Sequence, residues 1–323
     1  MELTVISIFS GCGGSSLGYK KAGYKELLAI DFDKNAIETF KLNFKNVPVW
    51  ERDIATVTAD EILKFCKIKK GDLDIFDGSP PCQGFSTSGK RNVNDTRNVL
   101  FEQFVRLVDE LQPKVFVMEN VSGMIKGKMK GIFIEIIQTL KNLNYDVKCK
   151  LLNAKFYQVP QSRERLFFIG VRKDLNIEPS FPIPFEKIIT VKEALKDVKL
   201  SEVQIPLKEI DLNFYNIKQG SDLATYFQSL GLKQKYFNIK KLHPNKVCNT
   251  ITKLFSAGMC GILHWKEKRY LTINELKRLS SFPDDFIFIG KFREQWARIG
   301  NAVMPNQMYH IAKHLKENVF KKL

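Results

Sequence analysis

The chain has 323 residues, enough for one large domain or a large and a small one, with 44% hydrophobic residues and no apolar run of membrane-spanning length. Lys and Arg number 51 against 35 Asp and Glu, a net charge of +16, the balance of a protein that meets nucleic acid, an anionic membrane or an acidic partner; a solvated Lys-rich surface is the bland alternative. Six cysteines (12, 66, 82, 149, 248 and 260) without C-x-x-C spacing argue against a zinc site and a disulfide framework, so no metal is expected, and without a signal-peptide layout a reduced, cytoplasmic setting follows.

In chain order, Leu3–Phe9 reads as a strand and runs into a Gly-rich turn. Leu27–Asp31 is a second strand, and Lys34–Asn43 a helix with Ala36, Ile37, Phe40 and Phe44 on one face. Val47–Trp50, helix Ala59–Cys66 and strand Leu73–Asp77 follow. A polar loop from Gly78 to Asn98 leads to helix Leu100–Leu111, strand Val115–Met118, helix Gly131–Leu143, and strands Tyr145–Leu152 and Leu166–Val171. This alternation predicts an α/β fold with a mainly parallel, doubly wound sheet. Prolines 179, 182, 184, 206 and 244 then break the rhythm, which predicts a second, smaller, irregular domain. Order returns with a helix capped by Thr272 and Glu275, and a last helix from Pro305 to Lys321.

Four places carry chemistry. The loop Phe9-Ser10-Gly11-Cys12-Gly13-Gly14 follows the first strand, and Asp31 ends the second, 20 residues after Gly11. That pairing suits an adenosine-containing cofactor or simply a tight turn; Ser16 stands where a full dinucleotide fingerprint has its third glycine. Asp53 is placed for an adenine amino group or as a helix cap. Cys82, in Gly78-Ser79-Pro80-Pro81-Cys82-Gln83, is held by two prolines at a strand end, as a reactive thiol requires. The basic loop beyond it, with Lys90, Arg91 and Arg97, suits phosphate contact. Glu119 follows the fifth strand, where it can share a crevice with Cys82 as an acid. Gln161, Arg163 and Arg165 alternate, so they are expected to share one face, with two arginines to grip a phosphate, carboxylate or carbonyl.

Together these residues closely resemble the cytosine-C5 DNA methyltransferases, of the compact bacterial or phage type. Phe9–Gly14 is similar to the family's cofactor loop, Pro81-Cys82-Gln83 to its nucleophile motif, and Glu119-Asn120-Val121 to its Glu-Asn-Val motif. Gln161-x-Arg163-x-Arg165, Arg269-x-Leu271-Thr272 with Glu275, Phe282-Pro283-Asp284, and Gly300-Asn301-Ala302-Val303 follow in family order. Asp31 stands where many members have Glu, and Met304 where a proline pair is frequent.

The resemblance implies the S-adenosylmethionine-dependent methyltransferase fold. It divides the chain into a catalytic and cofactor-binding domain (1–175), a target-recognition domain (176–268) and a C-terminal segment packing back on the first (269–323). It implies S-adenosylmethionine held by Phe9, Ser10, Gly11, Gly13, Gly14, Asp31, Phe32, Asp53, Ile54, Pro80, Leu100, Asn301 and Ala302, with Phe32 against adenine. Cys82, Glu119, Arg163 and Arg165 are then catalytic, and Gln83, Ser86, Lys90, Arg91 and Arg97 face double-stranded DNA. A monomer is expected, with a cognate restriction endonuclease acting separately and no membrane contact. A tRNA-modifying relative is the alternative substrate class, but Ser122-Gly123-Met124 follows Val121 here in place of that subfamily's Cys-Phe-Thr. Retention of Cys82, Glu119, Arg163 and Arg165 argues against an inactive DNA-binding module, and Pro81-Cys82-Gln83 against a nicotinamide dehydrogenase.

Overall fold

The computed structural model describes residues 2–81, 98–125, 130–200, 214–232 and 239–323. It forms two compact units, one of residues 1–153, 164–183 and 307–323, the other of 154–163 and 184–306.

The first unit opens with β1 (Thr4–Ile8), α1 (Gly14–Lys21), β2 (Lys25–Asp31), α2 (Lys34–Asn43), β3 (Val49–Glu51), α3 (Ala59–Cys66) and β4 (Ile75–Gly78). It continues through α4 (Asn98–Leu111), β5 (Val115–Val121), α5 (Lys130–Asn142) and β6 (Tyr145–Asn153). After β7 (Gln161–Ser162), which belongs to the other unit, β8 (Glu164–Arg172) completes the sheet. The strand order is β3-β2-β1-β4-β5-β8-β6, with β8 antiparallel to both its neighbours and the other pairings parallel.

The order reverses direction between β1 and β4. Right-handed crossovers therefore put α1 and α2 on one face and α3 and α4 on the other. The main core agrees: Ile6, Ile8, Leu28, Ile30, Phe76, Phe116 and Met118 pack with Ile62 of α3 and Phe104, Leu107 and Val108 of α4. Such a reversal leaves a crevice outside the strands' carboxyl ends, where ligands of open α/β sheets bind. The turn into α1 depends on Gly13, which has φ 91° and where a Cβ would stand 2.3 Å from a ring carbon of Phe44. Phe40 and Phe44 stack beneath it at 4.5 Å. Asp33 caps α2 by accepting from the Ala36 amide at 3.1 Å, and Thr58 with Glu61 caps α3 reciprocally.

The second unit holds α6 (Val191–Ala194), α7 (Leu223–Ser229), β9 (Ile239–Lys241), β10 (Cys248–Asn249), β11 (Gly261–Leu263), α8 (Ile273–Leu279) and α9 (Phe292–Asn301). Helix α10 (Pro305–Asn318) follows, and its residues from Gln307 onward belong to the first unit. The second unit has a packed core rather than a merely irregular chain: Phe255 meets Tyr270, Phe292 and Trp296 at 4.7–5.1 Å between ring centres. The capping box of Thr272 and Glu275 forms as expected, and Arg269 grips the same buried Glu275 through both terminal nitrogens, at 2.7 and 2.8 Å.

The units cut the chain elsewhere than at 175 and 268. Residues 154–163 go with the second unit, and of 269–323 only 307–323 go with the first. The physical reason is the bonding of Gln161 and Arg163. Gln161 donates to the Leu279 carbonyl (3.3 Å) and the Ser280 hydroxyl (3.2 Å) and accepts from the Ile251 amide (3.0 Å). Arg163 donates to the carbonyls of Ile251, Gly300 and Ala302 at 2.9–3.1 Å. Gly300 permits this close packing, since a Cβ there would lie 2.4 Å from the Thr252 carbonyl oxygen.

Candidate active site

The chain leaves β1 with Phe9 at φ 54°, a left-handed conformation that costs a non-glycine residue about 1–2 kcal/mol and so needs support around it. The support is Asp31. One of its oxygens accepts from the Gly11 amide at 2.7 Å and the other from the Asp33 amide at 2.9 Å, clasping the loop to the end of β2. The Ser10 amide adds a bond to the Ile30 carbonyl at 3.1 Å. Burial pushes the Asp31 carboxyl above its ordinary value, and the two amides pull it back. The Phe32 backbone also bonds this carboxyl, which with three donors on two oxygens keeps room for one more.

This clasp forms one wall of a cleft lined by Phe9, Ile30, Asp31, Phe32, Arg52, Asp53, Ile54 and Leu100. Six of these eight are cofactor residues expected from the sequence; Ile30 and Arg52 are additions that no motif marks. Phe32 is 70% exposed at the rim, an unburied aromatic face beside a mainly apolar cleft that carries Asp31 and Asp53. Asp53 caps the single 3-10 turn Ile54–Thr56 by accepting from the Ala55 amide at 3.0 Å, so the cap reading of this residue holds. Ser10, Gly11, Gly13 and Gly14 build the adjoining turn, while Asn301 and Ala302 lie at the end of α9 in the second unit.

Glu119 lies within β5 rather than beyond it, and is 9% exposed. Val121 pairs with Arg165 on antiparallel β8 and Glu119 with Phe167, so Glu119 and Arg165 are diagonal neighbours on one face. The Arg165 Nε donates to the Glu119 Oε1 at 2.9 Å. Next in β5, Asn120 is buried and donates through Nδ2 to the Pro80 carbonyl at 3.1 Å. The Asn of Glu-Asn-Val thus anchors the chain at Pro80, two residues before Cys82. Cys82 itself, with Gln83, Ser86, Lys90, Arg91 and Arg97, lies outside the described residues.

The expected common face of Gln161, Arg163 and Arg165 is corrected. Alternation holds only while a strand keeps its partners, and here β7 pairs with β10 whereas β8 pairs with β5 and β6. Arg163, at the change, is 2% exposed and its two terminal nitrogens are occupied by backbone carbonyls. It is a strut of the second unit, and Arg165 is the arginine that meets the acid. Asp77 was missed by sequence reasoning. It reads as the end of an apolar strand, yet it is a carboxyl buried to 3% exposure. Among the described residues no helix is long and apolar enough to cross a membrane.

A crevice at the reversal of a mainly parallel sheet, with an aromatic and a carboxylate at its mouth and an acid braced by an arginine two strands along, is the arrangement of a doubly wound α/β protein that takes a ligand at its switch point. Comparison with known proteins narrows it. The family model described as C-5 cytosine-specific DNA methylase matches residues 3–317. The Type II methyltransferase M1.HphI of Haemophilus parahaemolyticus is 38% identical, over 94% of this chain and 84% of that protein. M.DdeI of Desulfomicrobium norvegicum, another Type II methyltransferase, is 33% identical over 94% and 86%. A DNA modification methyltransferase encoded within an E. coli prophage has a solved structure that superposes with a TM-score of 0.77 at 29% identity, covering 99% of this chain and 100% of that one. DNMT2 of Spodoptera frugiperda shares the fold, with a TM-score of 0.68 at 20% identity over 99% of this chain and 100% of that one. The chain belongs to the C-5 cytosine-specific DNA methylases and is a DNA (cytosine-5-)-methyltransferase.

Proposed function

We propose that the protein methylates C5 of a cytosine flipped out of a specific duplex DNA sequence, using S-adenosylmethionine as donor and covalent addition of the Cys82 thiolate to C6. The observation that carries this reading is the Glu119–Arg165 pair, one strand over from the segment that Asn120 anchors before Cys82.

The cleft suits the cofactor. Phe32 offers an aromatic face for adenine, Asp31 keeps room for a ribose hydroxyl, and Phe9, Ile54 and Leu100 supply apolar walls. S-adenosylmethionine bound there would supply the electrophilic methyl group that C5 accepts.

The remaining work falls to the chain. Cytosine C5 is a weak nucleophile. Addition of the Cys82 sulfur at C6 breaks the C5–C6 double bond and leaves C5 enamine-like. Negative charge builds on the N3 edge, where Glu119 hydrogen-bonds the ring and offsets it. Arg165 orients Glu119 and reaches toward the C2 carbonyl. After methylation a base takes the C5 proton, the double bond re-forms and the Cys82 thiolate leaves.

A stacked base is beyond the reach of such a thiol, so the cytosine must leave the helix. Lys90, Arg91 and Arg97 suit phosphate contact around it, with Gln83 and Ser86 near the gap. The segment 176–268 is read as the element that chooses the sequence. The Type II relatives support a restriction–modification setting; in this reading the enzyme works as a monomer in the cytoplasm, with a cognate endonuclease acting separately.

Incubation with duplex DNA and cofactor labelled in its methyl group should label the DNA, and Cys82→Ala should abolish it. Equal labelling by that variant would remove the nucleophile from this scheme.

A further inference from the structure

In the first unit, helix α10 lies along α1 and runs the same way. Met308 packs against Gly18, and the Lys316 Nζ donates to the Ala22 carbonyl at 3.2 Å, at the end of α1. The Tyr24 hydroxyl donates to the Ala312 carbonyl at 3.0 Å, and its ring meets Phe320 at 6.3 Å, so the two helix ends are held together. Beside them is a hollow of about 240 Å³. Lys21 lines it from α1, Tyr309, Lys313, Lys316 and Glu317 from α10, and Lys321 from the single turn that follows.

Positive charge prevails in this hollow. Part of it is ordinary helix chemistry: a lysine near a helix C-terminus offsets the partial negative charge there, as Lys316 does at Ala22. The two helix ends together supply about one negative charge. Glu317 supplies another, 4.0 Å from Lys313 in a half-exposed and therefore weak pair. Four lysines stand against these, which leaves a surplus of about two positive charges. The Lys21 ammonium lies 5.5 Å from the centre of the Tyr309 ring, and burial lowers its proton affinity, a cost that a bound anion would offset. Lys313 and Lys321 are exposed, so a long ligand can reach them.

The sheet separates this hollow from the crevice. Helix α1 leads from the carboxyl end of β1 to the amino end of parallel β2, so Lys21 lies at the opposite edge of the sheet from Phe9 and Asp31. The length of β2, Lys25–Asp31, puts about 20 Å between the two edges. We propose that the hollow is a second DNA site, which takes backbone phosphates of a duplex segment other than the one in the crevice. Lysine without arginine selects this ligand: compact point charges suit a run of phosphates, whereas bidentate capture of a lone carboxylate calls for the arginine fork. DNA is also the polyanion that the enzyme meets as substrate. Such a site holds the enzyme on DNA between target sequences. The inference does not depend on the Cys82 chemistry.

The test gives the enzyme one equivalent of a short duplex that it methylates, then titrates a fluorescent duplex without the target and follows anisotropy. The natural chain should take up this second duplex. Lys313→Gln with Lys321→Gln should weaken the second uptake about tenfold and lower its salt slope by about two, with single-turnover methylation of the short duplex unchanged. Lys41→Gln with Lys64→Gln, exposed lysines of α2 and α3, removes the same charge elsewhere and should weaken the uptake far less. No second duplex on the natural chain would overturn the inference, as would equal weakening by the two pairs. Binding of inorganic phosphate by calorimetry with no second duplex would give the hollow to a free anion instead. Equal loss of methylation and of second uptake in Lys313→Gln with Lys321→Gln would make the hollow part of the crevice's own DNA path, and overturn the inference too.

Discussion

Asp77 and Glu119 are carboxyls on adjacent strands, and the protein treats them oppositely. Glu119 is braced by Arg165 at 2.9 Å, while Asp77, among the described residues, meets the hydroxyls of Tyr19 and Ser15 and the acids Glu26 and Glu119. The consequence for stability has a definite sign. The Asp77 carboxyl binds its proton more tightly in the folded chain, near 8, than in the unfolded chain, near the ordinary 3.8. Its favourable contribution is therefore complete below about pH 4 and is lost as pH rises through 8. Asp77→Asn, which never ionises, should melt higher than the natural chain at pH 8.5, with the gap shrinking toward pH 5. A gap independent of pH, measured by thermal unfolding, would count against a protonated Asp77. The cysteines divide in the same physical terms. Burial pushes Cys66 up to about 11 and Cys149 and Cys248 up to about 12, so these are inert thiols at neutral pH. Sequence alone separated Cys82 from them through its prolines. It could not expose Asp77, because a single acid at a strand end looks the same whether it faces water or helix α1.

The extended stretch around Arg163 shows where reading by periodicity stops. Residues 161, 163 and 165 do alternate, but the chain changes sheets between β7 and β8, and nothing local marks that change. Two arginines that look equivalent in sequence consequently have separate tasks. Arg163→Ala should strand three buried carbonyls and cost about 3 kcal/mol or more of stability, seen as a lowered Tm. Arg165→Ala should instead lower the rate, by about 100-fold, with the smaller loss of Tm. The opposite pattern, with Arg163→Ala slow but stable and Arg165→Ala unstable but fast, would contradict this division of labour. Elements with a strong pattern were legible: α2 and α3 have the bounds expected of them, and β1, β2, β4 and β5 fall within two or three residues of expectation. The short strands of the second unit were not, since two- and three-residue strands such as β10 and β11 leave no alternation to read.

At the scale of the molecule, the +16 charge suits a polyanionic substrate, and family membership says which one. Six of the eight residues that line the cleft beside Phe32 were named from the sequence, five of them because they sit at or just past strand ends, where sequence position and sheet topology coincide. The unit boundaries were less so, because long-range bonds such as those of Gln161 decide them. The central claim is that Cys82 forms a bond to the target base. Duplex DNA carrying 5-fluorocytosine at the methylated position tests it most directly, since fluorine cannot leave as a proton and the thiol stays trapped. The expected result is a protein–DNA complex that survives a denaturing gel, requires the methyl donor and is absent with Cys82→Ala. Efficient methylation of the ordinary duplex with no such complex on the fluorinated one would contradict it.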